Sequence, residues 1–388
     1  MPRIQLASSL FFMLLSLVIG VFRLMNLHSI NIYPWLLTRL YSLHPNIMLF
    51  GFLAPIIMTE RYVGSKAMGL NLIGRYSSRL MAPITQAGLL LQILSYLFST
   101  GYLMVFGGIA ITLGLLLFIL LLLQLSSKTG VRLPFYFMIL SVIPLQLFNI
   151  LFTEEKYIQN PSQALLLLLF PVIFILGERI ELTRFLTTGY SVARFMVAFF
   201  GCLILVLVSS LGSIFFHRSV EDRLLLIFFI LLLLVGLAVL AAETGSLRKG
   251  ISSPLLLQRY VAKHIVVAYV WLILSAFFGF AFVSDLNGLY YDAMIHSMTV
   301  GFIGTMLLAH GPVIIPSVIS KRVDVSRLTL YPLFILTISN IMRIIGDLAI
   351  GNGFGPLLNI LSGSSGWLIL LAVLTFISSL IISSPASE

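Results

Sequence analysis

The sequence predicts an all-α fold: a polytopic membrane helix bundle of about 12 transmembrane helices, with both termini cytoplasmic. Three observations carry this. Of 388 residues, 60% are hydrophobic, only 9% are charged, and mean hydropathy is +1.10. Long unbroken Leu/Ile/Phe runs recur along the chain, where barrel strands would alternate every second residue. The basic residues gather on alternate connections between these runs. A soluble domain is near half apolar and a quarter charged. Soluble enzymes, nucleic-acid binders and disordered scaffolds are therefore excluded, and the lipid bilayer is the first partner.

A crossing helix needs about 20 mostly apolar residues. Twelve stretches qualify, at roughly 6–27, 40–58, 82–99, 102–124, 134–152, 163–177, 191–216, 223–242, 261–283, 293–317, 328–348 and 364–383. The first lacks a small-residue cleavage site, so it is expected to be a retained span. With a cytoplasmic N-terminus, the inner segments hold 17 of the 23 Lys and Arg residues, among them Arg61, Lys66, Arg179, Arg248, Lys249 and Lys321. Arg23, Arg39, Lys156, Arg218, Arg223 and Arg343 remain on the outer side. The connections are short, with no phosphate-binding loop or dinucleotide fingerprint, so residues 1–388 form one integral membrane domain. No clear internal repeat is evident, although the second and tenth spans share a Met-x-x-Gly-Phe element, Met48–Phe52 and Met298–Phe302. The only cysteine is Cys202, which removes a disulfide within the chain and a cysteine-only metal site.

Ionisable residues inside a span are costly and mark function. His44 and His296 each lie three or four residues into a span entered from outside, some 5 Å below the outer boundary. Two imidazoles at one depth suit a haem held between two helices, or separate metal ions. Helix-interface hydrogen bonding is the competing reading. Gly51 and Gly304 follow the two histidines by seven and eight residues on the same helical faces. They leave either the gap a flat macrocycle needs or the contact of two packed helices. Arg343 and Arg39 are candidates for haem propionates. Arg343 has an alternative partner on its own helix in Asp347. Arg23 is a weaker case that fits snorkelling to the interface. His310 lies fourteen residues after His296, about 21 Å deeper, and His264 is its available helper for a second metal or haem site. Interface residence is the default for His28 and His217. Glu60, Glu178 and Glu181 read as salt-bridged residues at inner span ends.

The segments His44-Pro-Asn-Ile-Met-Leu-Phe-Gly-Phe52 and His296-Ser-Met-Thr-Val-Gly-Phe-Ile-Gly-Thr-Met306 resemble two signature stretches of the NnrS family. Those are twelve-span bacterial and archaeal membrane proteins with haem and copper, linked to nitric oxide and distantly similar to haem–copper oxidase and nitric oxide reductase catalytic subunits. Gly177-Glu178-Arg179-Ile180 echoes a further family element. Where the family has His-x-His-Glu, this chain has Asn46 and Ile47 after His44. The resemblance implies haem b bound through His44 and His296 between the second and tenth spans near the outer face. It leaves copper as a second candidate cofactor, for which Asn46 is a poor ligand. It also implies a prokaryotic cytoplasmic membrane and a role in nitrogen-oxide or respiratory electron transfer, with a redox donor or other membrane subunits as partners. Whether the iron keeps an open position, and hence whether the protein is an enzyme, stays open. A secondary transporter and a non-catalytic structural subunit are the alternatives.

Overall fold

In the computed structural model, the structure describes residues 2–28, 40–67, 77–130, 132–153, 161–183, 218–286, 288–319, 325–353 and 357–382. These residues are almost all helical, with no strand among them. We number the long helices in chain order: α1 (Pro2–Leu27), α2 (Tyr41–Leu43 continuing through His44–Asn46, Ile47–Leu53 and Ala54–Ala67), α3 (Ser77–Phe98), α4 (Gly101–Thr129), α5 (Arg132–Thr153), α6 (Pro161–Thr183), α7 (Arg218–Ile251), α8 (Leu256–Ala281), α9 (Gly288–His296 continuing through Ser297–Gly304 and Thr305–Ile319), α10 (Tyr331–Gly351) and α11 (Leu357–Ile382). Eleven helices among the described residues are long and apolar enough to cross a membrane. They fall on eleven of the twelve expected spans, and the expected span 191–216 lies outside the described residues. Hydrocarbon offers no partner for a backbone amide, so each crossing segment must close its own hydrogen bonds as a helix. The chain is thus a multi-pass membrane protein. On α4, Val105, Phe106, Ile109, Leu113, Leu116 and Leu120 are exposed, and lipid is the medium in which such a face is at rest.

Backbone contacts divide the chain into two compact units. The first comprises Met1–Ile158, Leu167–Glu181 and Ile314–Lys321; the second comprises Gln159–Leu166, Leu182–Val313 and Arg322–Glu388. In the first unit, glycines set the closest crossings. A Cβ on Gly88 or on Gly107 would stand 2.6 Å from the other's carbonyl oxygen, so α3 and α4 touch backbone to backbone. Buried amides tie the helices together. Gln5 Nε2 donates to Gln86 Oε1 at 2.8 Å, and Gln86 Nε2 donates to Gly51 O at 2.7 Å, joining α1, α3 and α2. Gly130, at φ 69°, ends α4 in the left-handed conformation that glycine adopts without strain.

In the second unit, α7 and α8 form one hairpin and α10 and α11 another, with α9 packed on α8 and α10. Ser362 lies under Gly346, where a Cβ would come within 2.6 Å of it.

Two segments among the described residues widen to π geometry. Ile47–Leu53 in α2 and Ser297–Gly304 in α9 are π-helices, the first directly after the short turn His44–Asn46 and the second directly after the α-helical stretch that ends at His296. π-segments are rare and concentrate at functional sites. They hold the shared Met-x-x-Gly-Phe elements, and the correspondence extends well beyond them. Ser16 Oγ in α1 donates to His44 O at 3.0 Å; Ser275 Oγ in α8 donates to Met294 O at 3.0 Å. Four residues before each serine stands an aromatic that fills the space over the π-helix glycine: Phe12, 2.8 Å from a Cβ on Gly51, and Trp271, 2.6 Å from a Cβ on Gly301. His44, Met48, Gly51 and Phe52 have the same spacing as Met294, Met298, Gly301 and Phe302. Each unit therefore contains the same run: a straight helix, a π-containing helix, and a two-helix hairpin (α1–α4; α8–α11). This corrects the expectation that the chain lacks an internal repeat.

Candidate functional site

Four imidazoles set into the spans each give Nδ1 to a main-chain carbonyl. His264 Nδ1 donates to Tyr260 O at 2.7 Å, His296 Nδ1 to Asp292 O at 2.9 Å, and His310 Nδ1 to Met306 O at 2.8 Å. Each acceptor is the carbonyl four residues earlier on the same helix. His44 Nδ1 donates across to α1, to Ser16 O at 2.8 Å. A carbonyl only accepts, so each bond places the ring proton on Nδ1 and the lone pair on Nε2. That is the tautomer in which a histidine ligates metal through Nε2, with its other nitrogen held by a main-chain group. On His264 and His310, Nε2 is buried and has no hydrogen-bond partner. His264 is wholly buried, under the Tyr260 ring at a centroid distance of 3.9 Å, and the Tyr260 hydroxyl donates to Leu308 O at 2.7 Å across to α9.

His44 belongs to the first unit and His296 to the second. The His44 ring lies against Gly20, where a Cβ would stand 2.7 Å from Cε1. Gly51 leaves no gap for a macrocycle, because Phe12 and Leu89 come within 2.8 and 2.9 Å of where its Cβ would be. Helix packing accounts for it. A Cβ on Gly304 would meet Thr299 O at 3.4 Å and Leu336 Cδ2 at 3.6 Å, ordinary contact distances.

Arg343 reaches a residue that sequence reasoning missed. Its Nε and Nη2 hold Asp292 Oδ2 and Oδ1 at 2.7 and 3.0 Å in a forked pair between α10 and α9. Asp347, the partner anticipated on its own helix, is 4.0 Å from Nε and accepts from Ser362 Oγ at 2.7 Å. Asp292 Oδ1 also lies 3.3 Å from His296 Nδ1, so Asp292 joins the arginine and the imidazole. Asp292 is hard to find from sequence because its partner is 51 residues away. Its only signal is a carboxylate one helical turn before His296.

Beside this pair stands Asn340, fully buried, with both amide atoms unpartnered. On α10 it sits between Leu336, which faces Gly304, and Arg343, which faces Asp292. The Thr299 hydroxyl in the π-helix is also buried without a partner. In the first unit the same condition holds for Asn46, 1% exposed, with both amide atoms unpartnered. Under the repeat Asn46 occupies the position of His296. Glu243 in α7 is a further buried carboxylate that sequence reasoning passed over, and it accepts from the Tyr269 hydroxyl at 2.9 Å.

The remaining expectations divide. Glu178 and Glu181 are salt-bridged as anticipated, both by Arg61, at 2.9 and 2.8 Å, with Phe174 under the guanidinium. Arg23 Nη1 is 3.4 Å from Tyr41 O. His28 is buried at the end of α1. Arg39, His217 and Cys202 lie outside the described residues. Among the described residues no three His, Cys, Asp or Glu side chains converge to hold a metal ion.

No curated protein matches this chain. A family model, a domain of unknown function designated DUF8744, matches residues 3–384. With nearly the whole length covered, the chain belongs to the DUF8744 family.

Proposed function

We propose that this membrane protein binds haem b through its intramembrane histidines and serves nitrogen-oxide or respiratory electron-transfer metabolism. The observation that carries the reading is the shared imidazole geometry. His44, His264, His296 and His310 each give Nδ1–H to a main-chain carbonyl. Two of them leave a buried Nε2 with no partner. An unsatisfied buried acceptor costs about 1–3 kcal/mol, and an iron or copper ligated there would remove that cost. Haem supplies a one-electron iron couple whose potential follows its axial ligands and its burial. The chain contributes lone pairs of fixed direction, a dry apolar surround and the Asp292–Arg343 pair beside His296. Arg343 already has two guanidinium nitrogens engaged by Asp292, so a propionate would meet the pair rather than a lone cation. The resemblance of the His44 and His296 segments to NnrS signature stretches points the same way. Copper remains the second candidate cofactor.

Protein expressed with haem available and purified in detergent tests this reading. The expected result is a Soret band, lost in the single variants that replace the true ligands among His44, His264, His296 and His310 with Ala. Loss of one band in both His44→Ala and His296→Ala would place the two on a single iron. A colourless protein with neither iron nor copper overturns the proposal. It would favour secondary transport, which the repeat with its two π-helical interruptions also suits, since many transporters are built from internal repeats around broken helices.

A further inference from the structure

Away from the histidines, the α7–α8 connection has an unusual composition. Arg248 and Lys249 occupy the last turn of α7, and Arg259 and Lys263 lie within the first eight residues of α8. Between Glu243 and Asp285 the chain has no acidic residue. Among the described residues, none of these four side chains has an ion-pair or hydrogen-bond partner. Arg248, Lys249 and Lys263 are exposed and Arg259 is half-buried. At the tip between them, Ile251, Leu255, Leu256 and Leu257 are exposed at 41%, 59%, 41% and 40%. The tip is well formed all the same. Leu255 N donates to Ser253 Oγ at 3.1 Å, and Ser253 Oγ donates to Gln258 Oε1 at 2.6 Å.

The length of α7 suits a tip set in a headgroup layer. The 34 residues of α7 extend about 51 Å, against about 40–45 Å for a bilayer with its headgroups. A tilt of about 30°, within the range of membrane helices, lets α7 run from one headgroup layer to the other. Four unpaired cations and four exposed aliphatic side chains then meet the layer where phosphate and acyl chain adjoin. Unpaired cations alone suit any anion. Cations interleaved with exposed leucines suit an anion that carries hydrocarbon.

We propose that the α7–α8 turn is a binding site for an anionic phospholipid of the inner leaflet. Arg248, Lys249, Arg259 and Lys263 hold the phosphate headgroup, and the leucine tip lies against the acyl chains. The test uses full-length protein in detergent, with thermal unfolding and native mass spectrometry read on addition of phosphatidylglycerol, phosphatidylcholine or inorganic phosphate. Phosphatidylglycerol should bind and raise the midpoint at concentrations where the other two do neither. Replacing Arg248 and Lys249 together with Gln should weaken its binding about 30-fold. The swaps Arg248→Lys and Lys249→Arg should retain it, as should the remote control Lys128→Gln with Arg132→Gln. Leu255→Ser with Leu256→Ser, which keeps every charge, should lower affinity for the lipid. Equal binding of phosphatidylcholine overturns the proposal. So does equal protection by inorganic phosphate, or an undiminished preference for phosphatidylglycerol after loss of both cations.

Discussion

At the scale of single residues, the Asp292–Arg343 pair has the largest calculable consequence. Both side chains are buried, 9% and 7% exposed, so removing either leaves an uncompensated charge. Asp292→Ala and Arg343→Ala should each destabilise by about 3–5 kcal/mol. The double variant should cost clearly less than the two combined, because neither member of the pair is left facing the gap of the other, although Asp347, 4.0 Å from Arg343 Nε, also loses its neighbouring cation. Thermal melts of the three variants in one detergent check this, and additive losses would show that the pair is not coupled. Asn340 presents the opposite case. Its amide is buried with neither atom satisfied, a cost of about 1–3 kcal/mol. The similarly sized Asn340→Leu should therefore raise the unfolding midpoint of cofactor-free protein.

At the scale of helices, glycines separate tight contacts from open ones. A Cβ on Gly88 would stand 2.6 Å from the Gly107 carbonyl, a backbone atom that cannot turn aside. A Cβ on Gly304 finds nothing closer than 3.4 Å. Gly88→Ala should thus lower stability by about 1–3 kcal/mol, while Gly304→Ala should be near neutral. Equal midpoints for the two variants would refute the α3–α4 crossing. The span pattern at this scale was legible in sequence, because hydropathy over about 20 residues reports directly on crossing helices. The π-segments were not. They depend on which carbonyl each amide selects, and apolar composition is blind to that choice. The repeat was hidden for a related reason. Its matching parts are a serine hydroxyl, a glycine gap and an aromatic filler, and Phe12 and Trp271 fulfil the last role with different side chains.

For the whole molecule, the bias of Lys and Arg predicts that both ends face the cytoplasm. Reporter fusions that are active on only one side of the membrane should give the cytoplasmic signal at the N- and C-termini alike; opposite signals would remove one of the twelve spans. The candidate site was legible in part. His44, His264, His296, His310 and Arg343 stand out because polar residues in apolar runs are conspicuous. Their partners did not stand out. Ser16 resembles the many helix serines that merely bond back to their own turn, and Asp292 falls near a predicted span boundary, where a carboxylate attracts no notice.

The widened coils after His44 and His296 also bear on tolerance of chain length. A π-turn accommodates one more residue than the α-turn it replaces. Removing a single residue from Ile47–Leu53 or Ser297–Gly304 can therefore be absorbed by tightening to ordinary winding, whereas the same deletion inside uniform α4 must rotate everything downstream by about 100°. These two stretches are slack in otherwise taut rods, and natural shortening of the spans should be found there first.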